Sequence, residues 1–129
     1  MRTIRKICHK DQLETEAMRA MIIADAPLRY RHTLNSIHVF VTDTRRGRAR
    51  HADNTATIPL WAKQRGVDYF NYYMAHELAH HVCFRDYDRV RGHGPIFQEV
   101  LQELTTFAHF ELEYKPRFAS AAGISKPQE

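Results

Sequence analysis

Residues 68–84, DYFNYYMAHELAHHVCF, decide how the chain folds. They contain no glycine or proline and are apolar on nearly all sides, which predicts a helix buried in the middle of a domain rather than one lying on its surface. Asp68 is the expected N-cap. The same stretch carries His76, Glu77, His80 and His81. Imidazoles and a carboxylate are costly inside a protein unless they have partners, so the pattern asks for something that binds them.

On a helix, residues four apart lie about 40° apart around the axis and one turn apart along it. His76 and His80 can therefore reach one ion, and two ligands from one helix lose less chain entropy on binding than two from separate loops. Zn²⁺ accepts neutral imidazole nitrogens. Glu77 follows the first histidine directly and projects to the side. There it is placed to hold a water on the metal and take its proton, the arrangement of metal-assisted peptide hydrolysis. With 9 histidines in 129 residues, roughly 0.04 such HExxH matches arise by chance, and the buried context lowers the odds of accident further. The competing reading is a set of satisfied core histidines.

A catalytic zinc has three protein ligands and one open position. Candidates for the third are His51, His81, His93, His109 and the glutamates of the last helix. His81, adjacent to His80, points about 100° away and cannot share the ion with both others. It reads as a surface residue or one that supports the ligands. His93 is better placed, after a charged loop and immediately before Gly94, where the lack of a side chain would let the backbone come close to the buried helix.

Working outward, residues 11–24 read as an amphipathic helix with Leu13, Ala17, Ala20 or Met21, and Ala24 on its stripe, stopped before Pro27. SIHVFVTD, 36–43, alternates Ile37, Val39 and Val41 against polar and aromatic positions and predicts a strand with one buried face. TRRGRAR, centred on Gly47, reads as a hairpin turn into a second strand near 48–53. TATIPL, 55–60, reads as a third. Pro59 cannot donate to a ladder, so that strand is expected at a sheet edge or ending at its proline. RDYDRVRG is a charged loop in which Arg85, Arg89 and Arg91 alternate with Asp86 and Asp88 as a local salt-bridge lattice. Pro95 opens a last helix with Ile96, Phe97, Val100, Leu101, Leu104 and Phe107 on its stripe. The sum is an α+β fold: a small three-stranded sheet, mixed or antiparallel, packed on a buried active-site helix with flanking helices. It is expected to fill residues 1–118 as a single domain, with 119–129 as a frayed tail.

Composition agrees with one globular unit: 43% of residues are hydrophobic and 26% charged. No run approaches a membrane span and the N-terminus has no apolar signal core, so a cytoplasmic protein without membrane contact is expected. Cys8 and Cys83 are too few for a disulfide scaffold or a four-cysteine zinc ribbon. Residues 1–65 carry 13 Lys/Arg against 6 Asp/Glu, whereas residues 66–129 carry 6 against 9. The basic half makes a polyanion such as DNA a candidate partner.

HELAHHVCF followed by GHGPIF resembles the active-site signature of the SprT-like (spartan-type) metalloproteases: HExxH, a short loop, and a third histidine in a His-Gly-x-x-aromatic context. The resemblance covers the protease core, about residues 10–112. It implies one Zn²⁺ per chain held by His76, His80 and His93, Glu77 as general base, and Phe97 packing the last helix against the site. It further implies a minimal zincin-like α+β core and a protein substrate, including protein bound or crosslinked to DNA. Two isolated cysteines cannot build the zinc ribbon that larger members carry after this core.

Other features are weighed against blander readings. Cys83 lies near the ligand face but reads as a core residue. Tyr69, Tyr72 and Tyr73 precede the motif by one to two turns, where a hydroxyl could stabilise an oxyanion, although aromatics at this spacing are more often core. An edge strand TATIPL could hold an extended peptide by main-chain pairing. Arg45, Arg46, Arg48 and Arg50 at the expected hairpin tip are candidate phosphate contacts for nucleic acid, against a solvated turn. The expected function is a zinc-dependent metalloendopeptidase. The alternative is a non-proteolytic, zinc-stabilised nucleic-acid-binding or regulatory module.

Overall fold

A computed structural model describes residues 4–105. Helix α1 (Gln12–Asp25) and the short α2 (Arg31–Asn35) lead into strand β1 (His38–Thr42). Strands β2 (Arg48–Arg50) and β3 (Thr55–Pro59) follow, then a short α3 (Leu60–Gln64), the long α4 (Val67–Asp86) and α5 (Pro95–Leu104). The α+β fold with a three-stranded mixed sheet is as expected. Its order is not. β3 lies in the middle, parallel to β1 from His38↔Thr55 to Thr42↔Pro59 and antiparallel to β2 from Arg48↔Thr57 to Arg50↔Thr55.

Two expectations are thereby corrected. The hairpin joins β2 to β3 and turns at 51–54, where Asn54 takes the left-handed conformation (φ 58°) that asparagine tolerates. The segment around Gly47 is a passage between strands that do not pair with each other. Of the two placements expected for TATIPL, the edge is overturned and the other holds: β3 is central with all five residues buried, and it ends at Pro59. The edges are β1 and β2. The N-terminal segment covers part of the first, with Cys8 N–H donating to Val41 O at 2.8 Å and Asp43 N–H to Lys6 O at 2.9 Å. Among the described residues, β2 pairs only with β3.

α1 packs on β1, and polar side chains fix the seam. Gln12 Nε2 donates to Val39 O at 3.0 Å, and Arg19 Nε donates to Ile37 O at 2.8 Å. The expected stripe on this helix is out of phase. Leu13 is 84% and Met21 50% exposed, while Thr15, Met18, Ile22 and Ile23 are buried. Thr15 disguises the true face: its hydroxyl returns to Asp11 O at 2.8 Å, so a polar residue can be buried satisfied. Val39, Val41, Ala56 and Ile58 from the sheet join Leu34, Ile37 and, from α4, Met74, Ala75, Leu78, Ala79 and Val82 in one core, all of them fully buried. Each large aliphatic side chain so enclosed contributes about 1.5–3 kcal/mol.

α4 is buried along most of its length, as its composition predicts. Its N-cap is Gly66 and not Asp68. Gly66 sits at φ 120°, a conformation that favours glycine, and its carbonyl accepts from Phe70 N–H at 3.0 Å. Asp68 lies inside the first turn, where a carboxylate suits the positive end of the helix dipole. α5 begins at Pro95 as expected and buries Phe97, Val100, Leu101 and Leu104, with Ile96 partly exposed. Phe107, His109 and the tail at 119–129 lie outside the described residues.

Close backbone approach occurs at Gly47 and not at Gly94. A Cβ added at Gly94 would meet nothing within 4 Å, whereas one at Gly47 would stand 1.9 Å from Thr57 O and 3.0 Å from the Tyr73 ring. Thr57 belongs to the central strand and cannot retreat without disturbing both neighbours. Gly47→Ala is therefore expected to cost about 1–3 kcal/mol, the range for overpacking, read as a lower melting temperature. An unchanged melting temperature would contradict this contact.

Candidate metal centre

α4 presents His76 and His80 from successive turns, and His93 arrives from the loop before α5. Their ring centroids stand 5.0 Å apart in all three pairs, a near-equilateral triangle. One nitrogen from each ring lies within 4.8 Å of the others, close enough for a single ion. Phe97, the first inward residue of α5, closes the base, with its ring 4.9 Å from His76, 4.5 Å from His80 and 4.9 Å from His93. Burial falls from His76 through His80 to exposed His93, so the triangle opens toward solvent on the His93 side.

The donor set fits a divalent metal. Neither ring nitrogen of His76, a residue only 4% exposed, has a hydrogen-bond partner among the described residues. A buried polar group left so is destabilising, and a metal ligand bond removes the deficit. Burial pushes the His76 pKa well down, with the neighbouring rings of His80 and His93 adding to the effect, and burial with the rings of His93, His51 and His81 holds His80 down to about 3. Both rings are thus neutral at pH 7, the form that binds metal, and no proton has to be displaced.

Glu77 is 3% exposed, and burial pushes its carboxyl up to about 8. A cation beside it opposes that desolvation and favours the ionised form. Two contacts fix which strand runs alongside this turn of α4. Gly47, just before β2, donates its N–H to the Tyr73 hydroxyl at 2.9 Å, four residues ahead of Glu77. His51, just after β2, meets the His81 ring at 4.9 Å, four residues beyond it. β2 therefore runs alongside the stretch that carries Glu77, and among the described residues its outer edge is unpaired.

The other sequence candidates fall elsewhere. His81 is fully buried and not a surface residue. Its Nε2 bonds Thr55 O at 2.8 Å, tying α4 to the central strand, and burial holds its pKa down to about 4. His51 stacks on Phe84 with centroids 4.1 Å apart. Cys83 is a core residue: burial pushes its thiol up to about 11, and its sulfur is not among the side chains that converge. Tyr73 receives the Gly47 bond and sits against Trp61 and Tyr69, so its packing role is evident. Among the described residues the expected salt-bridge lattice does not form: Arg89 and Arg91 lie over the Phe84 ring at 5.8 and 5.7 Å, and Arg85 donates to Asn54. Arg45, Arg46, Arg48 and Arg50 do gather, along one cleft.

Sequence reading missed how His93 is held. Tyr87, at the start of its loop, donates to the Tyr30 hydroxyl at 2.8 Å, and Tyr30 donates to Glu103 of α5 at 2.6 Å. Arg29 completes the cluster through Glu103. The network ties the start of the loop to the helix that follows it. Between them Asp88 and Arg89 sit at φ 57° and 64°, uncommon for residues with side chains. Nothing short-range signals this, because Tyr30 and Glu103 lie 73 positions apart.

The site and its scaffold define a class: a small α+β domain in which two histidines of a buried HExxH helix and a third from the following loop form a group that could hold a metal ion. The family model for SprT-like proteins matches residues 22–124, and the chain belongs to the SprT-like family. Its function is accordingly of the SprT type, related to that of metalloproteases. No curated protein and no solved structure matches the chain. Among the described residues no helix is long and apolar enough to cross a membrane.

Proposed function

We propose that the protein is a zinc-dependent endopeptidase in which His76, His80 and His93 hold the metal and Glu77 is the general base. The observation that carries this reading is the three-ring triangle with the unpartnered nitrogens of His76, one residue from a buried carboxylate. Zinc bound there would supply Lewis acidity, making a water more acidic and polarising the scissile carbonyl. Glu77 accepts the water's proton and delivers it to the departing amine nitrogen, so one carboxylate serves as base and then acid. Phe97 and the buried wall of α4 keep bulk water from the inner side of the triangle. The free edge of β2 holds the substrate in extended form through main-chain pairing, the role that the sequence had suggested for TATIPL. A structural zinc has four protein ligands, and only three metal-binding side chains converge among the described residues, which favours the catalytic reading over a zinc-stabilised module.

The test is digestion of an unstructured protein such as casein. Cleavage is expected with the zinc-loaded chain, should disappear after chelation, and should return when zinc is restored. Cleavage that survives complete metal removal, or its absence from protein with one zinc per chain, would refute the proposal.

A further inference from the structure

Outside the metal centre lies a strongly cationic cleft of about 710 Å³, formed by β2, the passage that precedes it, the N-terminal segment and the adjoining Thr42 of β1 and Thr57 of β3. Arg5, Lys6, Arg45, Arg46, Arg48 and Arg50 line it, and Asp43 is the only acidic residue among the lining side chains. Arg50 is ion-paired with Asp53 at 3.1 Å, yet the lining remains strongly cationic. The cations come from two places in the chain, the N-terminal segment that covers β1 and the passage leading into β2, so the fold assembles the cluster. Arg48 and Arg50 stand two apart on a strand and so share a face. That strand runs beside the turn of α4 that carries Glu77, and among the described residues its outer edge is unpaired.

We propose that this cleft selects acidic side chains in an extended peptide paired along the free edge of β2. The inference rests on the peptidase reading and supplies its substrate class. A strand laid against β2 would set its alternate side chains on the face that carries Arg48 and Arg50, so carboxylates two positions apart meet the cleft together. Nucleic acid is the rival occupant for a basic cleft, and the aromatic content argues against it. Strand-tracking sites present rings on which bases stack. Trp61 is the only aromatic residue of the lining, and its ring is already engaged: Arg65 lies over it at 5.0 Å, Tyr69 and Tyr73 pack at 5.8 and 6.0 Å, and its N–H donates to Arg45 O at 2.7 Å.

The test uses the zinc-loaded full chain carrying Glu77→Gln, so that binding is read without turnover. Two fluorescent peptides differ only in having Glu or Gln at two positions two residues apart, and affinity is followed by anisotropy. The Glu peptide is expected to bind about tenfold more tightly at low salt, the effect of two partly exposed ion pairs, with the preference shrinking as salt is added. Arg46→Glu with Arg48→Glu should remove or reverse the preference, while melting temperature and zinc content confirm the fold. Equal affinities, no binding of either peptide, or a preference that survives the double substitution would overturn the inference. So would a single-stranded oligonucleotide that binds more tightly than the Glu peptide and loses its affinity in the same variant, which would assign the cleft to nucleic acid. Cleavage by the unsubstituted chain separates the two levels. Both peptides cut equally, with equal binding, would leave the peptidase standing and the acidic selection fallen. Arginine-dependent binding of the Glu peptide without cleavage would do the reverse.

Discussion

Glu77→Gln is expected to lower proteolytic activity by about 10²–10⁴-fold, the range supplied by a positioned general base, while leaving zinc content at one per chain. Glutamine matches glutamate in shape but cannot take a proton from water. The substitution should leave the fold intact, because the position is only 3% exposed and burial already favours a neutral side chain there. Zinc should remain, since Glu77 is not among the three side chains that converge. The measurement is the rate of casein digestion at matched zinc occupancy. A variant that digests casein as fast as the unsubstituted protein would remove Glu77 from the mechanism.

His93→Ala is expected to weaken zinc binding by about 10²-fold. Structural four-ligand sites bind zinc with roughly 10–16 kcal/mol, about 3 kcal/mol for each ligand, and 1.4 kcal/mol corresponds to a factor of ten. His93 suits this comparison because it is the exposed member of the triangle, so its removal leaves no core cavity and the metal-free stability should hardly change. The zinc-dependent stabilisation, which grows with the ratio of free metal to Kd, should shrink correspondingly. Calorimetric titration with zinc reads the affinity and thermal unfolding reads the linkage. Undiminished affinity would mean that another group completes the site.

The centre of the fold was legible because one stretch carried two signals together. The apolar perimeter of residues 68–84 predicted burial, and the four-residue spacing of His76 and His80 predicted a shared ion. A buried α4 with its imidazoles converging is what the structure contains. Pro95 was legible for a local reason too, since proline at a first helical position marks where α5 begins, whereas the close approach that singled out His93 beside Gly94 does not occur. Sheet order was not. Periodicity reports that a segment is extended, whereas strand order depends on which segments bury their faces together. Pro59 is compatible with a sheet edge or with the end of any strand, and here it ends the central one. The phase of α1 failed because Thr15 looks polar in sequence and is satisfied by its own helix. His81 was misjudged for a related reason: its partner is the backbone of Thr55, 26 positions away, a contact that only the folded sheet creates. The network through Tyr30, Tyr87 and Glu103 is likewise tertiary in origin.

Moving the edge from β3 to β2 joins the findings about the sheet and the site. β2 is short and among the described residues pairs on one side only, and the contacts of Gly47 with Tyr73 and His51 with His81 bracket Glu77 between them. The passage before it holds Gly47 tightly against the central strand, so the strand that would align a substrate is anchored to the helix that would cut it.

X-ray absorption at the zinc edge tests the central claim most directly. The account predicts three imidazole nitrogens at about 2.0–2.1 Å with one further oxygen from solvent, and the loss of one imidazole in His93→Ala. A spectrum with sulfur in the coordination sphere, four protein ligands, or the same number of imidazoles after His93 is removed would contradict it.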